Sequence, residues 1–290
     1  MAALRTAFAL LTAACLGSCA AAPPDLGDMT FADEPLLGKA VWHDLITEDL
    51  EAASRFYSGL FGWTLEPARG AAGQGYLVAR DGNIYVAGLL QARRSAGSNV
   101  SRWLPYVSVS NVDSATARVT DAGGTVLVAP RDVPLGRVAA ITDEEGAVLG
   151  LARSSFGDPD DATTAGAVNR VVWNELLADD PAEAARFYER VFGYQAREIE
   201  RRGGDYILLH ASGGERAGIL AKPVADWKPV WLTYFGVTDP AAAVARVEAL
   251  GGRVVAAPSP ELREGTMAVV TDPSGAVLVL QQWPVAANDR

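Results

Sequence analysis

The chain has 290 residues, 49% of them hydrophobic and 21% charged, with a formal net charge of −10. That length suits about two domains of ordinary globular composition. With no basic run longer than the pairs Arg93-Arg94 and Arg201-Arg202, the acidity excludes a nucleic-acid surface, which needs a basic stripe.

Arg5, the apolar stretch Ala7 to Leu16 and the small-residue site Leu16-Gly17-Ser18-Cys19 predict a removable export signal over residues 1–18. The stretch is shorter than the ~20 residues a membrane span needs. LGSC resembles the bacterial lipobox, which implies lipidation at Cys19, anchorage to a membrane and a place in the cell envelope, on its periplasmic or extracellular face. Ala20 after that cysteine favours outer-membrane sorting if the source has two membranes. Cys15 and Cys19 are the only cysteines, so the body would carry no disulfide, zinc-thiolate site or cysteine nucleophile. Residues 19–38, with Pro23, Pro24, Asp25, Gly27 and Asp28, are expected to form a flexible tether.

From residue 39 onward the chain is written twice. VWHDLITEDLEAASRFYSGLFGW at Val41 returns as VWNELLADDPAEAARFYERVFGY at Val172. WLPYVSV at Trp103 answers WLTYFGV at Trp231, and ITDEEGAVLGL at Ile141 answers VTDPSGAVLVL at Val270. A register held this long means two copies of one folding unit, predicted as domains over 39–153 and 169–285 with a linker over 154–168.

Each copy reads as a strand at Val41 to Ile46, then a helix capped by Asp49 and ended by Gly62, with Ala53, Phe56, Tyr57, Leu60 and Phe61 on one face. In the second copy Asp180 is the cap, Pro181 takes the first helical position and Glu183 completes a capping-box-like arrangement. Strands follow at Tyr76 to Arg80 and Ile84 to Gln91, the loop Gly70 to Gly75 lying before them. The half-copy then restarts: strand at Leu104 to Val109, helix from Val112 to Ala122, strands near Thr125 to Val128, Arg137 to Thr142 and Ala147 to Ala152. Asp143 to Gly146 and Asp272 to Gly275 are turn sequences.

Two βαβββ modules per copy, Phe56-Tyr57 and Phe187-Tyr188, the AGG and LGG helix ends and the TD-x-x-GA hairpins resemble the vicinal oxygen chelate superfamily, the glyoxalase, bleomycin-resistance and extradiol-dioxygenase group. The opening W-H/N-D/E-L is similar to its tandem glyoxalase-like branch. That resemblance implies an α+β fold with two tandem domains, each of two βαβββ modules curved into a half-open barrel. It also implies where metal-using members place their cation ligands: Trp42, Leu104, Trp173 and Leu232 on first strands, the stretches Ala87 to Leu89 and Ala217 to Ile219, and Gly150 and Val279 on last strands. None of these residues ligates a metal, so no metal or other cofactor is expected.

Alternation along a strand puts Trp42, Asp44 and Ile46 on one face and Trp173, Glu175 and Leu177 on its counterpart. If the family geometry holds, that face lines each cavity, with Trp103, Tyr106, Trp231 and Tyr234 completing an aromatic box. A buried carboxylate needs a partner, for which Arg137 and Arg170 are candidates; without one its pKa rises and Asp44 or Glu175 becomes a candidate acid or base. His43, one residue out of step, is expected to point away from the cavity and sit between sheet and helix. His210 is expected at a cavity rim or on the surface. No nucleophile elbow is visible. These residues lead to an exported protein binding a small apolar or aromatic molecule without metal. The alternatives are a glyoxalase-like lyase or isomerase, using noncanonical metal ligands or Asp44 or Glu175 as acid/base, and a protein-interaction module.

Overall fold

The structure, a computed structural model, describes residues 26–68, 75–94, 99–161, 168–201 and 204–284. The expected export signal with Cys15 and Cys19, the start of the tether, residues 69–74 of the glycine-rich region and residues 162–167 of the linker lie outside the described residues.

The first copy runs β1 (Ala40–Thr47), α1 (Leu50–Phe61), β2 (Thr64–Pro67), β3 (Tyr76–Asp81) and β4 (Ile84–Gln91), then β5 (Arg102–Ser108), α2 (Val112–Asp121), β6 (Thr125–Val133), β7 (Gly136–Thr142) and β8 (Val148–Ser154). The second copy repeats this as β9 (Val171–Ala178), α3 (Pro181–Phe192), β10 (Gln195–Arg201), β11 (Gly204–Ala211) and β12 (Gly214–Ala221), then β13 (Val230–Val237), α4 (Pro240–Val247), β14 (Arg253–Ala256), β15 (Met267–Thr271) and β16 (Val277–Gln282). Two open eight-stranded sheets result, ordered β2-β3-β4-β1-β5-β8-β7-β6 and β10-β11-β12-β9-β13-β16-β15-β14. The expected α+β architecture of paired βαβββ modules is therefore present. In each copy the two modules meet where their first strands pair antiparallel, β1 with β5 and β9 with β13.

Capping fixes where the helices begin. Asp49 accepts the Ala52 N–H at 3.0 Å and Gly62 closes α1 in the left-handed region at φ 75°. Asp180 likewise accepts from Ala182 and Glu183 ahead of α3, with Pro181 supplying a preset φ. The capping box expected there is replaced by a contact from the other copy. The Glu145 carboxylate takes the Asp179 and Asp180 N–H groups at 2.7 and 2.8 Å, a favourable charge for a helix N-terminus.

The helices bury their apolar faces across the duplication. Phe56, Tyr57, Leu60 and Phe61 of α1 share one core with Phe235, Val237, Ala243, Val247 and Val270 of the second copy's last module. A mirror core joins Val112, Ala115 and Val119 of α2 to Phe187, Tyr188 and Val191 of α3. One smaller cluster packs on the opposite face of each sheet. The recurring motifs meet in these shared cores. Tyr57 donates to Asp272 of the other copy's turn at 3.3 Å, and Tyr188 donates to Asp143 at 2.9 Å. The glycine after each GG-ended helix makes room for the phenylalanine beside that tyrosine: a Cβ on Gly252 would stand 2.6 Å from Phe56, and one on Gly124 would stand 3.1 Å from Phe187.

The tether's described part is docked rather than free. Ala32 and Asp160 exchange backbone bonds with Asp158 and Thr30, Leu36 N–H donates to the Asp158 carboxylate at 2.8 Å, and Tyr194 donates to the Gly38 carbonyl. Prolines and glycine in residues 19–38 suggested flexibility, but backbone groups of the described part are paired with the linker and with both copies, through Asn83, Ser108, Tyr194 and Ser212.

Candidate functional site

A carboxylate ringed by aromatic donors stands at the floor of each cup. In the first, Asp44 Oδ1 accepts from the Trp42 indole and the Tyr76 phenol, both at 2.8 Å, and Tyr106 bonds it as well. Asp44 is 8% exposed. Burial pushes its pKa up, against the hydrogen bonds of Tyr76, Trp42 and Tyr106 and the nearby positive charge of Arg131. The phenols of Tyr76 and Tyr106 are driven well above their ordinary range, by burial first and by the Asp44 charge second, so both remain protonated donors. Around this carboxylate stand half-buried Trp42, Tyr76, Val78, Val128, Val138 and Ala152.

The second cup repeats the plan. Glu175, 1% exposed, accepts from Tyr206 at 2.6 Å and from Tyr234. The Trp173 indole donates to the Tyr206 oxygen at 2.9 Å. Here the guanidinium is bonded directly to the carboxylate: Arg263 pairs with Glu175 and lies over the Tyr234 ring at 5.5 Å. Arg263 comes from a tight turn, Arg263 to Gly265, whose Arg263 and Glu264 hold φ of 46° and 57°. Two non-glycine residues in the left-handed region are costly and persist only where the surroundings hold them.

Glycines create the space for the rings. A Cβ on Gly88 would lie 2.0 Å from the Tyr76 oxygen and 2.2 Å from Asp44, one on Gly218 would lie 1.8 Å from the Tyr206 oxygen, and one on Gly150 would lie 2.4 Å from the Tyr106 ring.

Of the sequence-predicted residues, Trp42, Asp44 and Tyr106 converge in the first cup and Trp173, Glu175 and Tyr234 in the second. Trp103 and Trp231 do not join them. They sit three residues from Tyr106 and Tyr234 on strands of period two, so they face the helices instead. There Trp103 donates to Tyr57 and Trp231 to Tyr188, each at 2.9 Å. The expected arginine partners are also corrected. Arg137 pairs with Asp113 and Asp132, and Arg170 with Asp81. Arg131 and Arg263 take the cup positions.

His43 points away from the cup, as alternation requires, because the bulge in β1 falls at Val41 and leaves the register after it intact. It lies between the two copies rather than between sheet and helix, its Nε2 3.1 Å from Asn174 Oδ1. His210 is half-buried on β11, opposite Gln195 and Glu215. Tyr76 and Tyr206 went unread in the sequence, although the repeat itself carried them in GYLVARDG and DYILLHASG.

The family profile described as Glyoxalase/Bleomycin resistance protein/Dioxygenase superfamily matches residues 39–151 and again 168–280. The chain belongs to that superfamily. CFP32 of Mycobacterium tuberculosis, a protein provisionally named a glyoxylase, is 34% identical over 254 residues, covering 85% of this chain and 96% of that protein. The anthracycline biosynthesis protein DauV of Streptomyces sp. strain C5 is 31% identical over 272 residues, covering 87% and 97%. Among solved structures, the Mn(II)-bound glyoxalase from Novosphingobium aromaticivorans aligns with a TM-score of 0.54 at 14% identity, covering 85% of this chain and 82% of that one. The 2,2',3-trihydroxybiphenyl 1,2-dioxygenase of Sphingomonas wittichii RW1 gives 0.56 at 16%, covering 85% and 90%. These two share the superfamily's fold.

A divalent cation of the kind metal-using superfamily members hold does not fit these residues. At the positions implied for its ligands stand Trp42, Gly88 and Gly150 in one cup and Trp173, Gly218 and Val279 in the other. The room their side chains would need is filled by phenol rings. Each cup's carboxylate is already bonded by neutral donors or by Arg263, and among the described residues no three His, Cys, Asp or Glu side chains converge.

Proposed function

We propose that this superfamily member is exported and lipid-anchored at Cys19, and binds a small, flat, oxygen-bearing aromatic molecule in its first cup without metal. One observation carries the reading: a buried carboxylate held by indole and phenol donors, Asp44 with Trp42, Tyr76 and Tyr106, stands where metal-using relatives would place cation ligands, among half-buried apolar side chains. Such a floor offers ring surfaces for stacking and a hydrogen-bonding carboxylate to orient a ligand hydroxyl. The second cup has its carboxylate neutralised by Arg263. On this reading it is the supporting copy. The biosynthetic role in DauV's name supports a polycyclic aromatic ligand.

Titration of the purified protein with an anthracycline, followed by tryptophan fluorescence, is expected to saturate. Asp44→Asn should weaken binding about tenfold, the worth of one charged hydrogen bond, ~1.4 kcal/mol. Stoichiometric zinc, manganese or iron in the preparation would overturn the metal-free reading. Labelling by a fatty-acid analogue in bacteria should be lost in Cys19→Ala.

A second reading rests on the raised pKa of Asp44, which suits a proton-transfer group acting on an oxygenated substrate. It is favoured if the protein turns over an α-oxoaldehyde and Asp44→Asn abolishes turnover while leaving binding intact.

A further inference from the structure

A cleft of about 380 Å³, within the size range of small-molecule sites, lies between the copies and is lined by β1 and β4 of the first and β9 and β12 of the second. Val41 and Val86 from one copy, Val171 and Val172 from the other, and Trp283 after β16 give it an apolar wall. The repeat is broken here. Gly88 and Gly218 pair with Asp44 and Glu175, so Val86 and Arg216, two residues earlier, are counterparts. One copy therefore lines the cleft with an isopropyl group where the other brings a guanidinium. Gly214 makes room for it: a Cβ there would stand 3.1 Å from the guanidinium carbon.

Arg216 is 9% exposed, and the lining holds a second buried cation, Lys39, at 6%. Buried cations are rarely found without a partner. These two share a single oxygen: Asp161 Oδ1 is 3.1 Å from Lys39 and 2.8 Å from Arg216, on a carboxylate that is itself 59% exposed. Their remaining described bonds go to the carbonyls of Pro159, Ala211 and Ser212. The other charges in the lining are matched one to one, Arg170 by Asp81 and Glu215 by Arg197. Burial lowers the Lys39 pKa and the Arg216 charge adds to it, while Asp161 and Asp160 oppose the shift without cancelling it. The lining therefore carries two buried positive charges against one half-exposed negative charge.

We propose that this cleft is a second binding site, independent of the cups, for an apolar monocarboxylate whose head joins Lys39 and Arg216 and whose tail lies along the valines. A carboxylate accepts several bonds at once and suits a guanidinium beside an ammonium. One positive charge of the lining is left unmatched, which selects a monoanion over an alcohol or an amine. Asp44 and Glu175 do not line the cleft, so its chemistry is separate from theirs.

The probe is octanoate, with 1-octanol and octylammonium as controls of the same chain, measured by titration calorimetry on the full chain. Octanoate is expected to bind about tenfold tighter than octanol, and octylammonium more weakly than either. Two variants should move the affinity in opposite directions. Asp161→Asn removes the carboxylate that competes for the two cations and should tighten octanoate binding about tenfold. Arg216→Val, which gives the second copy the first copy's residue, leaves Lys39 balanced by Asp161 and should reduce octanoate to the level of octanol. Ions that serve only to join the copies would lower stability in both variants and raise affinity in neither. Val172→Trp, which fills the cleft, should abolish binding, and Asp44→Asn should leave it unchanged. Thermal melting checks the fold of each variant, and octanoate should raise the melt of Asp161→Asn more than that of the parent. Where Asp161→Asn does not fold, Arg216→Val and the octanol comparison decide. Equal affinity for octanoate and octanol in the parent overturns the proposal. So does a folded Asp161→Asn that binds octanoate no more tightly than the parent, or binding that Asp44→Asn abolishes and Val172→Trp leaves intact, which would move the ligand to the first cup.

Discussion

His43 shows what one residue of offset does in a strand. Because it faces the other copy rather than the cup, its ring is buried at the join and its pKa falls from 6.5 to about 4. Between those values the unfolded chain binds a proton that the folded chain refuses. Stability therefore rises as pH climbs from 4 to 6.5 and levels off above, by about 3 kcal/mol at most for two and a half units. Asn occupies the equivalent place in the other copy, so His43→Asn is a tolerable replacement that cannot titrate. Urea unfolding at pH 7 and 4.5 should show the variant losing about 2 kcal/mol less than the parent on acidification. Identical losses would show that another group governs the acid limb. At this scale the site was only partly legible in the sequence. Alternation placed Asp44 and Glu175 with Trp42 and Trp173, since period two is a property of the chain itself. It also contradicted Trp103 and Trp231, whose odd spacing from Tyr106 and Tyr234 sends them to the helix side. Arg263 was beyond reach, because it enters from a left-handed turn with no counterpart in the first copy's sequence.

Among the elements, the contact between α1 and the turn before β16 explains why the same short motifs recur. Trp103 donates to Tyr57, and Tyr57 donates to Asp272, so a strand and a helix of one copy are tied to a turn of the other. Burial raises the Asp272 pKa to about 6, opposed by the turn's own N–H groups and by Tyr57. A carboxyl with a folded pKa above 3.8 costs stability as pH rises from 3.8 to 6, and the Tyr57 bond offsets part of that cost only once the group is charged. Tyr57→Phe should consequently lower stability by about 1–3 kcal/mol at pH 7 and by less at pH 4.5. Calorimetric melting at both values tests this; an equal or larger loss at the lower pH would exclude the charged bond as the cause. Helix starts, glycine stops and turn residues were all readable because each is local chemistry. That Phe56 and Tyr57 pack on the other copy's glycine and aspartate was not, because periodicity names a buried face without naming its partner.

For the whole molecule, the consequence is that a repeat boundary in sequence is not a boundary in the core. The clusters that contain α1 and α2 each draw roughly half their side chains from the second copy. Arg246 of α4 donates to the carbonyls of Gly59 and Leu60, and Arg118 of α2 to that of Val191, sealing both helix pairs at their ends. Residues 39–153 expressed alone would expose Phe56, Tyr57, Leu60 and Phe61 on one helix and Val112, Ala115 and Val119 on the other. A contiguous apolar patch of that kind does not stay in water. The two helix faces are quasi-equivalent in the repeat, so a second copy of the fragment can cover both through a twofold arrangement, α1 against α2 in each direction. Analytical ultracentrifugation should find the fragment as a homodimer whose melting temperature rises with concentration, as mass action requires. A folded monomer with a concentration-independent melt would mean that each sheet supports its helices unaided, and that the shared core adds contact without being needed for folding.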